Sequence, residues 1–225
     1  MNGGDYTDNL TKIVAAAAKV FAHWGLHRTK VKDVAAEAGV AAGTVYLYAD
    51  SKDSLFDLAL RFGMGYEISE VAQNEIPYST NRQDTFKWLV KVARLDDLLP
   101  ELHEPMLNEC PLYELLGILF DFLSDHKFAI RIVERSAHEW QELATLFFSE
   151  IRDPVIKRIG KRISFENSTL SPDECETMAR LVGGAIAFAA VHRFFEGGLP
   201  DTTEKSLYKK VVIRSLVKMI SEKKA

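Results

Sequence analysis

Apolar residues recur at three- and four-residue spacing along almost the whole chain, and no stretch alternates with the period of two that a half-buried strand requires. The first such run spans Thr11–Trp24, where Ile13, Val14, Ala17, Val20, Phe21 and Trp24 form one stripe. Ala15 to Ala18 add intrinsic helix preference, Asp8 offers an N-cap and Gly25 a stop. A shorter run follows in Val31, Val34, Ala35 and Ala38, interrupted at Gly39. A second short helix is expected from Ala42 to Tyr48, with Val40 and Val45 facing inward. Ser51 then caps a fourth helix carrying Leu55, Phe56, Leu58, Ala59 and Phe62, which the pattern extends past Met64 and Ile68.

Pro77, with Ser, Thr and Asn around it, marks residues 76–83 as a loop. Beyond it the pattern predicts helices over 84–99, 101–109, 112–123, 128–139, 141–165, 172–195 and 204–222. Pro154 either kinks the long 141–165 run or opens a new helix after Asp153. Ser171-Pro172-Asp173-Glu174 is a helix start, and Gly197-Gly198-Leu199-Pro200 a stop. The expected fold is all-α: a three-helix N-terminal domain over 1–50, then a larger helical domain over 51–225.

Two short helices joined by a tight Gly turn are the unit that places its second helix in a DNA major groove. An αα-corner without a ligand has the same periodicity. The polar surface favours DNA: Thr44, Tyr46 and Tyr48 stand on the second helix, Lys52 follows, and Arg28, Lys30 and Lys32 cluster at the start of the first. Hydroxyls suit phosphate oxygens and base edges, and cations suit the backbone. The whole chain, with 28 Lys+Arg against 32 Asp+Glu, carries a formal charge of −4. Any positive footprint is therefore local.

This stretch resembles the tetracycline-repressor (TetR) family of bacterial transcriptional regulators. The likeness runs from about Ile13 to Leu60 and rests on Phe21, Gly25 and Thr29, on VAAEAGV at 34–40 and on GTVYLYADSKDSL at 43–55. It implies an N-terminal helix-turn-helix domain that binds double-stranded operator DNA. It also implies a C-terminal body that binds a small-molecule effector and forms a homodimer. On that resemblance Thr44, Tyr48 and Lys52 lie at DNA, chiefly on phosphates, and residues 41–46 read bases, so that Ala41, Ala42 and Gly43 join the candidate set. The chain departs from the pattern at three places. Ala49 stands where a Phe is usual, with Leu47 or Phe56 to compensate; Ala41 and Ala42 replace the usual Ser and Lys; and Lys30 replaces a capping Ser or Thr, leaving Thr29 as the nearest substitute.

In the body, Ala179, Gly183, Ala187 and Ala190 form a small-residue face flanked by Val182 and Ile186. Leu207, Val211, Val212, Leu216 and Met219 make a stripe on the last helix. These suit either core packing or a dimer interface of two helices from each chain. Trp88, Met106, Tyr113, Phe120, Phe128, Trp140 and Phe147, with His138 and His192 as polar partners, are the candidate lining of an apolar effector site; each alone suits a core equally.

Other classes have little to rest on. The six His are dispersed, and His138-Glu139 lacks the second His of a zinc-protease motif, since 142 is Glu. No phosphate loop or nucleophile elbow occurs, so neither an enzyme nor a cofactor or metal is expected. Cys110 and Cys175 suit reduced thiols. The polar N-terminus does not read as a signal peptide, and the apolar stretch Leu181–Val191 is short of a membrane span. The expectation is a cytoplasmic regulator without a membrane partner; a helical scaffold or adaptor is the alternative.

Overall fold

The computed structural model describes residues 3–72, 77–196 and 202–221, with the side chains of 3–6, 104–106 and 202–205 left aside. In chain order the helices are α1 (Gly3–Arg28), α2 (Val31–Ala38), α3 (Ala42–Val45), α4 (Lys52–Gly63), α5 (Ile68–Val71), α6 (Arg82–Val92), α7 (Leu95–Leu98), α8 (Glu104–Glu109), α9 (Leu112–Asp125), α10 (Lys127–Ala137), α11 (Gln141–Ala144), α12 (Asp153–Glu166), α13 (Pro172–Ala187), α14 (Arg193–Phe195) and α15 (Thr202–Ser221). Among the described residues there is no sheet, only an isolated parallel bridge between Ala49 and Tyr78. The all-α expectation holds. The stop expected at Gly197–Pro200 lies outside the described residues, as does the Met106 side chain.

Two compact units emerge, residues 1–91 with 125–147 and residues 92–124 with 148–225. In the first, α1 packs on α2, α4 and α10. Its core is the predicted α1 stripe, Ile13, Val14, Ala17 and Phe21, set against Leu55, Phe56, Leu58 and Ala59 of α4 and Ile132 of α10, all essentially without exposure. The Phe21 and Phe56 rings meet edge to face at 5.2 Å, a favoured aromatic geometry. Of the two side chains expected to compensate for Ala49, Phe56 is fully buried and Leu47 is 54% exposed.

In the second unit α12 lies along α13. Ile156, Ile159 and Ile163 face Cys175, Ala179, Val182 and Ile186, and all seven are buried. The two helices lie close: a Cβ at Gly160 would be in ordinary van der Waals contact with the Cys175 carbonyl at 3.5 Å and the Ala179 methyl at 3.6 Å. The small-residue face of α13 is therefore used inside the chain. Ala179, Val182, Ile186 and Ala190, expected at a dimer interface, are buried in the single protomer, and Gly183 lies against Ile156. Leu216 of α15 is likewise buried, with Ile213 and Ile220. By length and composition Pro172–Phe195 could cross a bilayer, yet the face just described is spent on α12.

Several boundaries differ from the pattern. The fourth helix ends at Gly63, where Met64 and Gly65 (φ 82°) turn the chain, and does not run on through Ile68. The helix expected over 84–99 stops at Val92 and resumes as α7, with Arg94 extended between. Between α11 and α12 the chain stays helical, but Thr145–Arg152 widens to π geometry. Pro154 sits in the first turn of α12, and a proline without an N–H is where such a bulge relieves the ladder. At Ser171 the hydroxyl accepts the Glu174 N–H (3.3 Å) and the Glu174 carboxylate accepts the Ser171 N–H (2.8 Å), a complete capping box.

Gly25 breaks α1 four residues from its end with φ 76° and ψ 175°. A Cβ at this position would stand 2.8 Å from the Arg135 carbonyl oxygen of α10. Backbone strain and collision act together, so Gly25→Ala should lower unfolding free energy by about 2 kcal/mol or more. Denaturant unfolding of the variant beside the parent checks this; a loss within a few tenths would show that α10 yields freely.

Candidate nucleic-acid interface

Everything that positions the short helices starts at the Gly25 turn. The Thr29 hydroxyl, fully buried, returns to the Gly25 carbonyl at 2.7 Å, and the Leu26 N–H donates to the Ser136 hydroxyl of α10 at 3.0 Å. Thr29 is thus occupied and does not cap α2. That task falls to Asp33, whose carboxylate accepts the Lys30 N–H at 3.3 Å. Helix α2 buries Val34, Ala35 and Ala38, as its spacing predicts. It closes on Gly39 at φ 67°, with the Gly39 N–H on the Ala36 carbonyl and the Val40 N–H on that of Ala35.

Helix α3 is shorter than its sequence pattern suggested. It spans Ala42–Val45, and Ala41 before it has no side chain to cap it. Residues 46–48 continue as a tightened turn, with the Leu47 N–H on Thr44 O and the Tyr48 N–H on Val45 O. Val45 is buried and holds the unit to the core. Ala41, Ala42 and Gly43 are exposed, as are Tyr46 (48%) and Leu47; Thr44 is half-buried. Tyr48 is not on this surface. At 3% exposure its ring packs inward, because the turn after Val45 rotates it off the α3 face.

The candidate cations differ in freedom. Arg28, Lys30 and Lys32 are exposed, and Arg28 approaches Glu139 at 3.9 Å. Lys52, in the first turn of α4, donates to the His27 carbonyl at 3.2 Å and thereby ties α4 to the end of α1. Glu37, also exposed, is already paired with Lys19 at 3.0 Å.

Behind the exposed turn lies a connection that sequence reasoning missed. The Tyr78 N–H donates to Tyr48 O (2.9 Å), and the Asp50 N–H donates to Tyr78 O (3.1 Å). Asp50 accepts from the Ser54 hydroxyl at 2.5 Å and from that of Ser79 at 2.6 Å. An aromatic residue inside an otherwise polar loop was the one available signal.

The other candidates fall into both units. Trp140 is buried, its ring near Phe56 (6.3 Å), Phe86 (5.8 Å) and the Arg82 guanidinium (5.4 Å). Trp88 packs under Arg61 at 4.2 Å and beside Tyr66 at 5.6 Å. Phe128 and Phe147, in the same unit, are half-buried, and His138 is exposed. In the second unit Phe120 is buried, His192 half-buried and Tyr113 40% exposed. A groove of about 300 Å³ there is lined by Lys157, Lys161, Ser164 and Cys175, among others, and by none of the proposed effector residues. A second, of about 210 Å³ in the first unit, includes Arg28, Arg135 and His138. Among the described residues no three His, Cys, Asp or Glu gather as a metal site.

The sequence of residues 13–59 matches the family of bacterial regulatory proteins of tetR type. Over that stretch the chain is similar to TetR-type regulators. That match covers the Gly25 turn, both short helices and the start of α4. The chain is 43% identical over 51 residues to the HTH-type transcriptional repressor KstR2 of Rhodococcus jostii (strain RHA1), 23% of this chain and 25% of that one. It is 35% identical over 63 residues to the fatty acid metabolism regulator protein of Bacillus subtilis (strain 168), 28% and 32% of the two chains. The matches thus span between a quarter and a third of these relatives' own lengths. A TetR-like transcriptional regulator from Rhodococcus sp. RHA1 superimposes with a TM-score of 0.48 at 19% identity, over 92% of this chain and 95% of that one.

Within this first unit the hydroxyls of Ser54 and then Ser79 hold the Asp50 carboxyl below the usual carboxylate value, against a smaller opposing effect of burial. A depressed folded value stabilises the fold above the unfolded value near 3.8, and the effect is lost as pH falls through the folded one. Ser79→Ala should therefore raise the Asp50 pKa toward its ordinary value. Side-chain carboxyl NMR titration reads this directly; an unmoved titration would show that Ser79 does not favour the charged form.

Proposed function

We propose that this protein is a DNA-binding transcriptional regulator of TetR type, not an enzyme, acting as a homodimer on a two-fold symmetric operator. The observation carrying this reading is the exposed surface Ala41–Gly43, Tyr46 and Leu47, presented by a helix anchored through buried Val45. With Ala at 41 and 42 the backbone can come close to a groove wall. Tyr46 then has reach for base edges, Leu47 can meet a thymine methyl, and Thr44 suits a phosphate. Arg28, Lys30, Lys32 and Lys52 supply the backbone contacts. Tyr48, buried here, supports the turn. Similarity to a transcriptional repressor, KstR2, favours repression by promoter occupancy.

One such surface reads few bases, so specificity calls for a second copy. Support for the dimer comes from the apolar side chains left in water on α13, just beyond its end and on α15: Leu181 (59%), Phe188 (48%), Leu207 (63%), Val211 (53%) and Met219 (39%). We place the interface there, with Gly184 admitting close approach, together with the half-buried Ala187 and Val212. Val211→Glu should turn the dimer into monomer in sedimentation at micromolar concentration while leaving helix content unchanged. A dimer that survives the charge would place the interface elsewhere.

The functional division proposed is DNA binding by residues 1–50 and effector binding and dimerisation by 51–225, in the cytoplasm. A small apolar or amphipathic effector releases DNA only if it binds the DNA-incompetent arrangement more tightly. Selection of bound duplexes from a random pool tests the central reading and should enrich an inverted repeat; enrichment of no sequence would defeat it. On the recovered duplex, Lys52→Ala should weaken binding and lower the slope of log affinity against log salt by about one. An unchanged slope would remove Lys52 from the phosphate contacts.

A further inference from the structure

A four-residue helix is not stable alone, and α3 has no side-chain cap. Its far end is held by residues 77–80, which return from beyond α5. Two backbone hydrogen bonds bracket Ala49, from Tyr78 N–H to Tyr48 O and from Asp50 N–H to Tyr78 O. The Thr80 N–H adds a bond to the Ser54 hydroxyl at 3.0 Å, and the Ser79 hydroxyl one to Asp50. The segment is itself fastened through the Tyr78 hydroxyl, which donates to Asp57 at 2.6 Å. Asp57 is fully buried and ion-paired with Arg61 at 2.6 Å, and the Arg61 guanidinium lies over Trp88 of α6. A hydroxyl bonded to a buried carboxylate is among the stronger hydrogen bonds a protein makes. The strap therefore ends on a fully buried, ion-paired carboxylate of α4.

We propose that Tyr78 is a positioning residue for DNA recognition: through Asp57 it clamps residues 77–80 onto Tyr48–Asp50 and so fixes how Tyr46 and Leu47 are presented. This deepens the proposed function and rests on it for its DNA readout. It concerns no group that touches DNA, since Tyr78 is half-buried on the inner side of the turn.

Tyr78→Phe in the full chain keeps the ring and both backbone bonds but loses the link to Asp57. Amide hydrogen exchange should become about tenfold faster over residues 46–50 while residues 13–21 exchange as in the parent. Affinity for the duplex enriched from the random pool should fall about tenfold, with an unchanged salt slope because no cation is lost. Ser79→Ala, at an exposed position, should shift both readouts in the same direction by less. Parental exchange over 46–50 in Tyr78→Phe overturns the proposal. So does faster exchange spread equally over 13–21, which marks general destabilisation, or local loosening with parental duplex affinity. A parent chain that retains no duplex defeats the functional reading instead, and the exchange comparison still decides whether the strap holds the turn.

Discussion

Four residues of helix, Ala42–Val45, cannot hold themselves in place, and the first unit is arranged around that constraint. From inside, Val45 is buried against the core that α1 and α4 create. On one side the left-handed Gly39 closes α2 and fixes the direction in which the chain enters α3. On the other, the Tyr48 carbonyl and the Asp50 N–H are satisfied by Tyr78. Upstream, the Gly25 turn brings Thr29 back onto α1, which sets where α2 begins. Each device supplies tertiary support for something that local propensity does not.

Among these supports the Tyr78–Asp57–Arg61 group differs in kind, because it is ionic and buried. An ion pair out of water recovers its desolvation only when the remaining lone pairs are also satisfied. Here Asp57 takes Arg61 Nε on Oδ2 together with the Tyr78 hydroxyl, and the guanidinium has the Trp88 ring on its face. Burial first, and then the bond to Asp57, push the Tyr78 hydroxyl well above the ordinary phenol value. It therefore remains a donor at neutral pH. By linkage its stabilising effect is complete below the ordinary phenol range and falls away as pH rises above it. Such a group fixes geometry more than it adds stability, which suits a clamp.

Most of the architecture was legible in the sequence because its determinants are local. The α1 stripe, the Ser51 and Ser171 caps, the Gly39 turn and the proline at the head of α12 each act within a few residues. What was not legible depends on distant partners. Tyr48 looks like a surface residue by its spacing from Tyr46, yet the tightened turn buries it. Asp50 and Ser79 lie far apart in sequence and meet only once the strap closes. The small-residue face of α13 signals close helix approach, but periodicity does not say whether the approaching helix belongs to the same chain. Burial of that face against α12 in the single protomer answers that, and the proposed interface lies round at Leu181 and Phe188.

Charge sets the last condition on the proposed regulator. With a net charge of −4 the chain as a whole repels a polyanion, so attraction must come from the few cations around α2 and α4. Two of the four are already engaged, Arg28 loosely with Glu139 and Lys52 with a backbone carbonyl. Both partners are weak competitors for a phosphate: the Arg28 pair is long and solvent-exposed, and the Lys52 acceptor is neutral. Releasing these cations to DNA costs little, but four contacts per protomer give only a modest salt-dependent affinity. A two-fold assembly doubles the contacts and makes the second reading event intramolecular, so that binding depends on how rigidly each turn is presented. Imprecision at one turn would then weaken both half-sites. The cost of a loose recognition turn is greatest where electrostatic attraction is weakest, which is the situation this acidic chain creates for itself.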